Sequence, residues 1–144
     1  MKIAIPKEIM HGETRVSLVP DSVTKLLSQN NEVVVETGAG DQAKYNDKSY
    51  LDAGATISAS FEELITESDI VLKIHAPNMD KNFGRVETDL LKAGSCLIGL
   101  LQPLSNKDLI ETLRAKNITS FSLDSIPRIA RAQSMDVLSS MSSL

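Results

Sequence analysis

Residues 127–141 read PRIARAQSMDVLSSM and place Arg128, Arg131, Gln133, Asp136, Ser139 and Ser140 within fifteen positions. These are groups that hold a ligand rather than cut a bond. A guanidinium forks onto carboxylate or phosphate oxygens, and a carboxamide offers a donor and an acceptor together. The same residues also suit a solvated helix, with Ser134 as its cap and Asp136 in its first turn.

Two further cations sit where chemistry could occur. Arg15 lies in GETRVSLVP (12–20), and Lys73 lies in VLKIHAP (71–77) near the end of an otherwise apolar strand. Both lie near strand ends, and ligands of open α/β sheets bind outside the carboxyl ends of strands. Either could equally be internal: Arg15 paired with Glu13 or Glu8, Lys73 with its stem along a sheet edge. His11 and His75 stand apart from each other and from the cysteine, as loop histidines, so no metal site is expected. No nucleophile elbow or Cys–His pair is present.

One motif invites a nucleotide and fails on inspection. GAGDQA (38–43) follows the strand EVVVET and matches the dinucleotide fingerprint in outline. The mechanism also needs a helix opening at the second glycine and an acid ending the next strand. KYNDKSY follows instead, without an apolar face, and ATIS (55–58) carries no acid. A glycine-rich turn is the better account.

The elements that must position these groups alternate. Strands are expected at 2–5, 32–37, 69–74, 95–101 and 118–124. Helices are expected at 20–30 (Asp21 or Ser22 capping), 47–55 (ended by Gly54), 58–68 (Ser60 with Glu63 as capping box) and 105–117 (Ser105 capping). A helical turn is expected at 89–94, and residues 134–141 begin another helix. SCLIGLL is apolar enough to be buried on both faces. This order indicates one α/β domain with a doubly wound, mostly parallel sheet and helices on both faces.

Composition narrows the class. The 144 residues are 42 % hydrophobic and 24 % charged, as in a soluble globular protein. A net charge of −4 and 3 % aromatics speak against nucleic acid. No apolar run reaches the ~18 residues that span a bilayer. The lone Cys96 excludes an intrachain disulfide and reads as a buried, inert thiol in a reducing compartment. MKIAIPKEIM is too short and charged for a signal peptide. A cytoplasmic chain is expected.

IPKE, GETRVSLVP, VETGAG, VLKIHAP, LLQPL and DSIPRIARAQSMDVLSSM occur in an order that resembles the start of the NAD(H)-binding subunit of proton-translocating NAD(P)+ transhydrogenase. The region is also similar to alanine dehydrogenase, and the last motif resembles transhydrogenase in particular. The resemblance implies that residues 1–144 form the first of two Rossmann-like domains. The second domain, absent from this sequence, would grip NAD(H) with its own glycine motif. NADP(H) would sit on a separate component.

By motif, Arg128, Gln133, Asp136 and Ser139 fall on the nicotinamide-facing loop, with Arg128, Gln133 and Asp136 nearest the chemistry. Arg15 and Lys73 match positions that bind the substrate carboxylate in alanine dehydrogenase. The acid–base histidine of that enzyme is Gln102 here, and a carboxamide exchanges no proton at neutral pH. The resemblance thus implies hydride transfer between NADH and NADP+ coupled to proton translocation, with this domain inactive alone. The full subunit would be a homodimer, peripheral to the inner membrane and joined to membrane and NADP(H)-binding components. An amino-acid-binding domain of an alanine dehydrogenase-like enzyme, or a non-catalytic assembly module, are the alternatives.

Overall fold

A computed structural model describes residues 1–125. Six strands, all parallel, form one sheet in the order β3-β2-β1-β4-β5-β6: β1 (Lys2–Ile5), β2 (Glu32–Glu36), β3 (Thr56–Ser58), β4 (Ile70–His75), β5 (Cys96–Leu100) and β6 (Thr119–Ser122). β-Branched and aliphatic runs such as KIAI and EVVVE supply strands that can be buried on two faces.

The helices divide between those faces. α1 (Pro20–Leu27) and α2 (Asp47–Asp52) bring Val23 and Tyr50 onto Ile3, Ile5, Val33, Val35, Leu72 and Ile74. α3 (Phe61–Thr66) and α4 (Lys107–Ala115) bring Leu64, Ile65, Leu109 and Leu113 onto Ala4, Val34, Val71 and Leu97. Tyr50 is fully buried, and its hydroxyl donates to the Leu18 carbonyl at 2.7 Å. Burial, with Tyr45 and Asp47 nearby, pushes its phenol well above the ordinary range.

Strand order fixes where a ligand can approach. From β1 the chain winds outward through β2 to β3, then crosses back to β4 and winds the other way. The reversal falls between β1 and β4, and the crevice at their carboxyl ends is the switch point of such a sheet.

Local expectations were corrected at several places. α1 starts one step earlier than its polar residues suggested: Val19 is its cap and Pro20 its first residue, so Asp21 and Ser22 lie inside the first turn. α4 is preceded by Asn106 rather than capped by Ser105, and the Asn106 Nδ2 donates to the Leu101 carbonyl instead. Ser60 does cap α3, its hydroxyl accepting from the Glu63 amide at 3.2 Å. Residues 89–94 form no helix; a turn there ends at Gly94, whose φ is +85°. β5 is fully buried on one side only, at Leu97 and Gly99, while Cys96, Ile98 and Leu100 are half-buried. Burial still raises the Cys96 thiol above its usual value.

Candidate functional site

The crevice begins where β1 ends. Pro6 has no amide hydrogen to continue a ladder, and β1 pairs with β4 at Ile3↔Ile70 and Ala4↔Val71. Beyond it, the side chain of Glu8 takes the place of the missing strand. Its carboxylate accepts from the Ile74 and His75 amides, both at 3.0 Å. β4 is bulged here, because Leu72 pairs with Ile98 but His75 pairs with Leu100. Two residues, Lys73 and Ile74, therefore oppose Gly99 alone. A Cβ on Gly99 would stand 2.9 Å from the Lys73 carbonyl, so only glycine admits this approach.

Lys73 is buried beside the bulge in a central strand, not stretched along an edge. Its ammonium lies 3.0 Å from Glu87 and 3.3 Å from both oxygens of Glu8. Glu87 is held in turn by the Asn78 amide at 2.8 Å. The sequence offers Glu8 only as a partner for Arg15 and does not single out Glu87; the one signal is that a lysine within an apolar strand rarely lacks partners.

Arg15 is held by Glu13. Its Nε and a terminal nitrogen reach the two carboxylate oxygens at 2.8 and 3.1 Å, and its amide adds a third bond at 2.8 Å. His75, the last residue of β4 rather than a loop histidine, sets its Nε2 2.7 Å from the same carboxylate. The Arg15 side chain, then burial acting against it, the Arg15 amide and His75 together bring Glu13 down to about 2 from 4.5. Arg15 and Lys73 are thus brought to one crevice, and each is already matched by a carboxylate of the chain.

The connection between β4 and β5 closes over the β1–β2 side of this edge. Arg85 makes a two-point pair with Glu36 at 2.6 and 2.7 Å, donates to the Lys7 carbonyl at 3.0 Å and stacks 3.5 Å from the Phe61 ring centre. On the β5 side, Gln102 is exposed where the chain leaves that strand.

The glycine-rich turn is packed for its own reasons. A short 3-10 turn (Asp41–Ala43) follows Gly40, where a Cβ would meet the Tyr45 carbonyl at 2.6 Å and the Tyr50 ring at 2.7 Å. No α-helix opens at this glycine, so the turn offers no row of amides to a pyrophosphate. His11 lies exposed in a turn. Arg128, Gln133, Asp136 and Ser139 lie outside the described residues, as does the helix expected at 134–141.

The alanine dehydrogenase/PNT N-terminal domain family matches residues 4–144. The chain belongs to this family. Among relatives of this N-terminal domain, an NAD(P) transhydrogenase alpha-subunit polypeptide of Rhodospirillum rubrum is 43 % identical over all 144 residues. Alanine dehydrogenase of Bacillus subtilis is 30 % identical over 126 residues, or 88 % of the chain. A solved transhydrogenase structure from Sinorhizobium meliloti superposes with a TM-score of 0.86 at 34 % identity, covering 97 % of this chain and 40 % of that one. An L-alanine dehydrogenase structure superposes at 0.77 and 31 % identity, covering 85 % and 32 %. The chain spans 37 % of the Rhodospirillum relative and 32 % of the Bacillus one. Within its described residues, no helix is long and apolar enough to cross a membrane.

Proposed function

We propose that this domain is the first half of the NAD(H)-binding component of a proton-translocating transhydrogenase. The whole enzyme would move hydride between NADH and NADP+, coupled to proton translocation by membrane components, with NADP(H) on a further component. The observation that carries this reading is the whole-chain identity of 43 % to a transhydrogenase subunit, against 30 % over a shorter stretch to an alanine dehydrogenase. Gln102 agrees with it, since a carboxamide at the exit of β5 moves no proton and hydride transfer requires none.

In this reading Arg128, Gln133, Asp136 and Ser139 hold the nicotinamide end of NAD(H). Position, rather than acid–base work, is what these residues supply. The bound nucleotide supplies the hydride chemistry. Pyrophosphate is held by a second, glycine-motif domain outside this sequence, which fits the packed turn after Gly40. The assembled subunit is a homodimer on the cytoplasmic face of the inner membrane.

The test is calorimetry with NADH on the 144-residue chain, then on the chain joined to a glycine-motif domain. Binding is expected only in the second case, and low-micromolar affinity of the chain alone would sink the half-site reading. A second reading is favoured by the meeting of Arg15 and Lys73 at the crevice: the amino-acid-binding domain of an alanine dehydrogenase-like enzyme. Pyruvate- and ammonia-dependent NADH oxidation by the joined protein would establish it in place of the first. Assembly of transhydrogenase components that survives Arg128→Ala and Gln133→Ala with hydride transfer intact would instead identify a non-catalytic module.

A further inference from the structure

Among the described residues, four that are not glycine have left-handed backbones: Asn30, Lys44, Gln102 and Asn117. Three have an ordinary cause. Asn30 and Asn117 follow the ends of α1 and α4, and Lys44 ends the 3-10 turn, where chains leave helices through this conformation. Gln102 alone follows a strand, with φ at +47°. A left-handed non-glycine residue persists only where its surroundings over-determine it, and glycine would fill the same turn without strain.

The surroundings do over-determine it. The Gln102 amide donates to Asp124 at 3.0 Å, and its carbonyl accepts from the Ser105 and Asn106 amides, both at 3.0 Å. The preceding residue is pinned as well: the Leu101 amide donates to the Ser122 hydroxyl at 3.2 Å, and its carbonyl accepts from Asn106 Nδ2 at 2.8 Å. Ser122 donates in turn to Asp124. All of this fixes the backbone, whereas the side chain is exposed and bonds to no described residue. A carboxamide is thus held out on a rigid stem at the carboxyl edge of the sheet. The register His75↔Leu100 places it just beyond the switch-point crevice.

Resting on the reading given under Proposed function, we propose that the Gln102 carboxamide contacts the nicotinamide carboxamide, with Asp124 as its positioning residue. Two carboxamides pair donor to acceptor at two points, which orients a nicotinamide ring without charge or proton transfer. The strained backbone is then retained because glycine, which relieves it, has no carboxamide to offer.

The test is a titration with NADH of the chain joined to a glycine-motif domain, the form in which binding is expected, followed by 15N NMR. The side-chain amide signals of Gln102 and of Gln133 are expected to move. Gln102→Gly should raise the melting temperature yet weaken binding about tenfold, the scale of one or two lost hydrogen bonds. Asp124→Ala should weaken binding similarly, and Asp124→Asn, which keeps an oxygen for the Gln102 amide, should restore it. If Gln133 responds but Gln102 does not, or Gln102→Gly binds as the parent does, the contact is refuted and the transhydrogenase reading stands. If no signal moves, both are refuted for this chain.

Discussion

Arg85 and Glu36 are 49 residues apart in the chain and share two hydrogen bonds, at 2.6 and 2.7 Å. Their pairing fastens the β4–β5 connection to the end of β2. Through it the connection also reaches Lys7, just after β1, and Phe61 at the start of α3. Arg85→Ala should therefore loosen one region rather than one contact. We expect a loss of about 1–3 kcal/mol, less than for a fully buried pair because the Arg85 side chain is partly exposed. A urea melt of the variant measures it, and hydrogen exchange should show faster opening across residues 76–88.

Lys73 offers a sharper contrast. Lys73→Met leaves Glu8 and Glu87 buried, with no cation between them. Removing one partner from such a cluster costs about 3–5 kcal/mol, whereas replacing the whole set can be nearly neutral. Lys73→Met combined with Glu8→Gln and Glu87→Gln should recover part of the loss in the same urea assay, the remainder reflecting the one backbone amide, of Ile74 or His75, that a single carboxamide oxygen no longer accepts from. Equal damage in the single and triple variants would show that the lysine's packing matters more than its charge.

Glu13 gives a pH signature. Its carboxyl is brought from 4.5 to about 2 in the fold, chiefly by the Arg15 guanidinium. A lowered carboxyl stabilises the folded state above the unfolded value, and that contribution is lost as pH falls. Stability should thus drop between about pH 4.5 and 2. Arg15→Ala should flatten the drop in that window, read by thermal melts at stepped pH.

Gly40 tests the glycine-rich turn. Gly40→Ala drives a methyl into the Tyr45 carbonyl, which is backbone and cannot swing aside. Overpacking of this kind costs about 1–3 kcal/mol, seen as a lowered melting temperature. NADH binding by the chain joined to its glycine-motif domain should be unchanged. A selective loss of binding without loss of stability would restore the nucleotide reading of GAGDQA.

Much of the fold was legible because local rules suffice for it. KIAI and EVVVE could hardly be anything but buried strands, and Ser60 with Glu63 marked α3 by the chemistry of its first turn. Caps were misassigned where the winning group was not polar: Pro20 sets the start of α1 through its fixed φ, so Val19 caps without a side-chain bond. The expected turn of helix at 89–94 was overridden by tertiary bonds, among them the Gly94 amide to the Asn117 carbonyl at 2.9 Å. At the site, the positions of Arg15 and Lys73 were readable from the strand ends near which they lie. Glu36, Arg85 and Glu87 were not, nor was the pairing of Glu8 with Lys73 rather than Arg15, because the partners lie up to 67 residues away. A charged loop residue looks the same in sequence whether it meets solvent or a buried ion.

The place of β1 in the sheet has a consequence for how the chain comes into being. β1 is made before either of its neighbours, β2 on one side and β4 on the other, with Ile3 facing both Val33 and Ile70. At ~5–20 residues per second, its second neighbour is made only several seconds after it. During that interval one long edge of KIAI has no strand to pair with. Sheet closure across such a sequence separation is slow, since the loop must be ordered before the contact repays it. The nascent domain therefore passes through a stage in which its future centre is its most aggregation-prone margin.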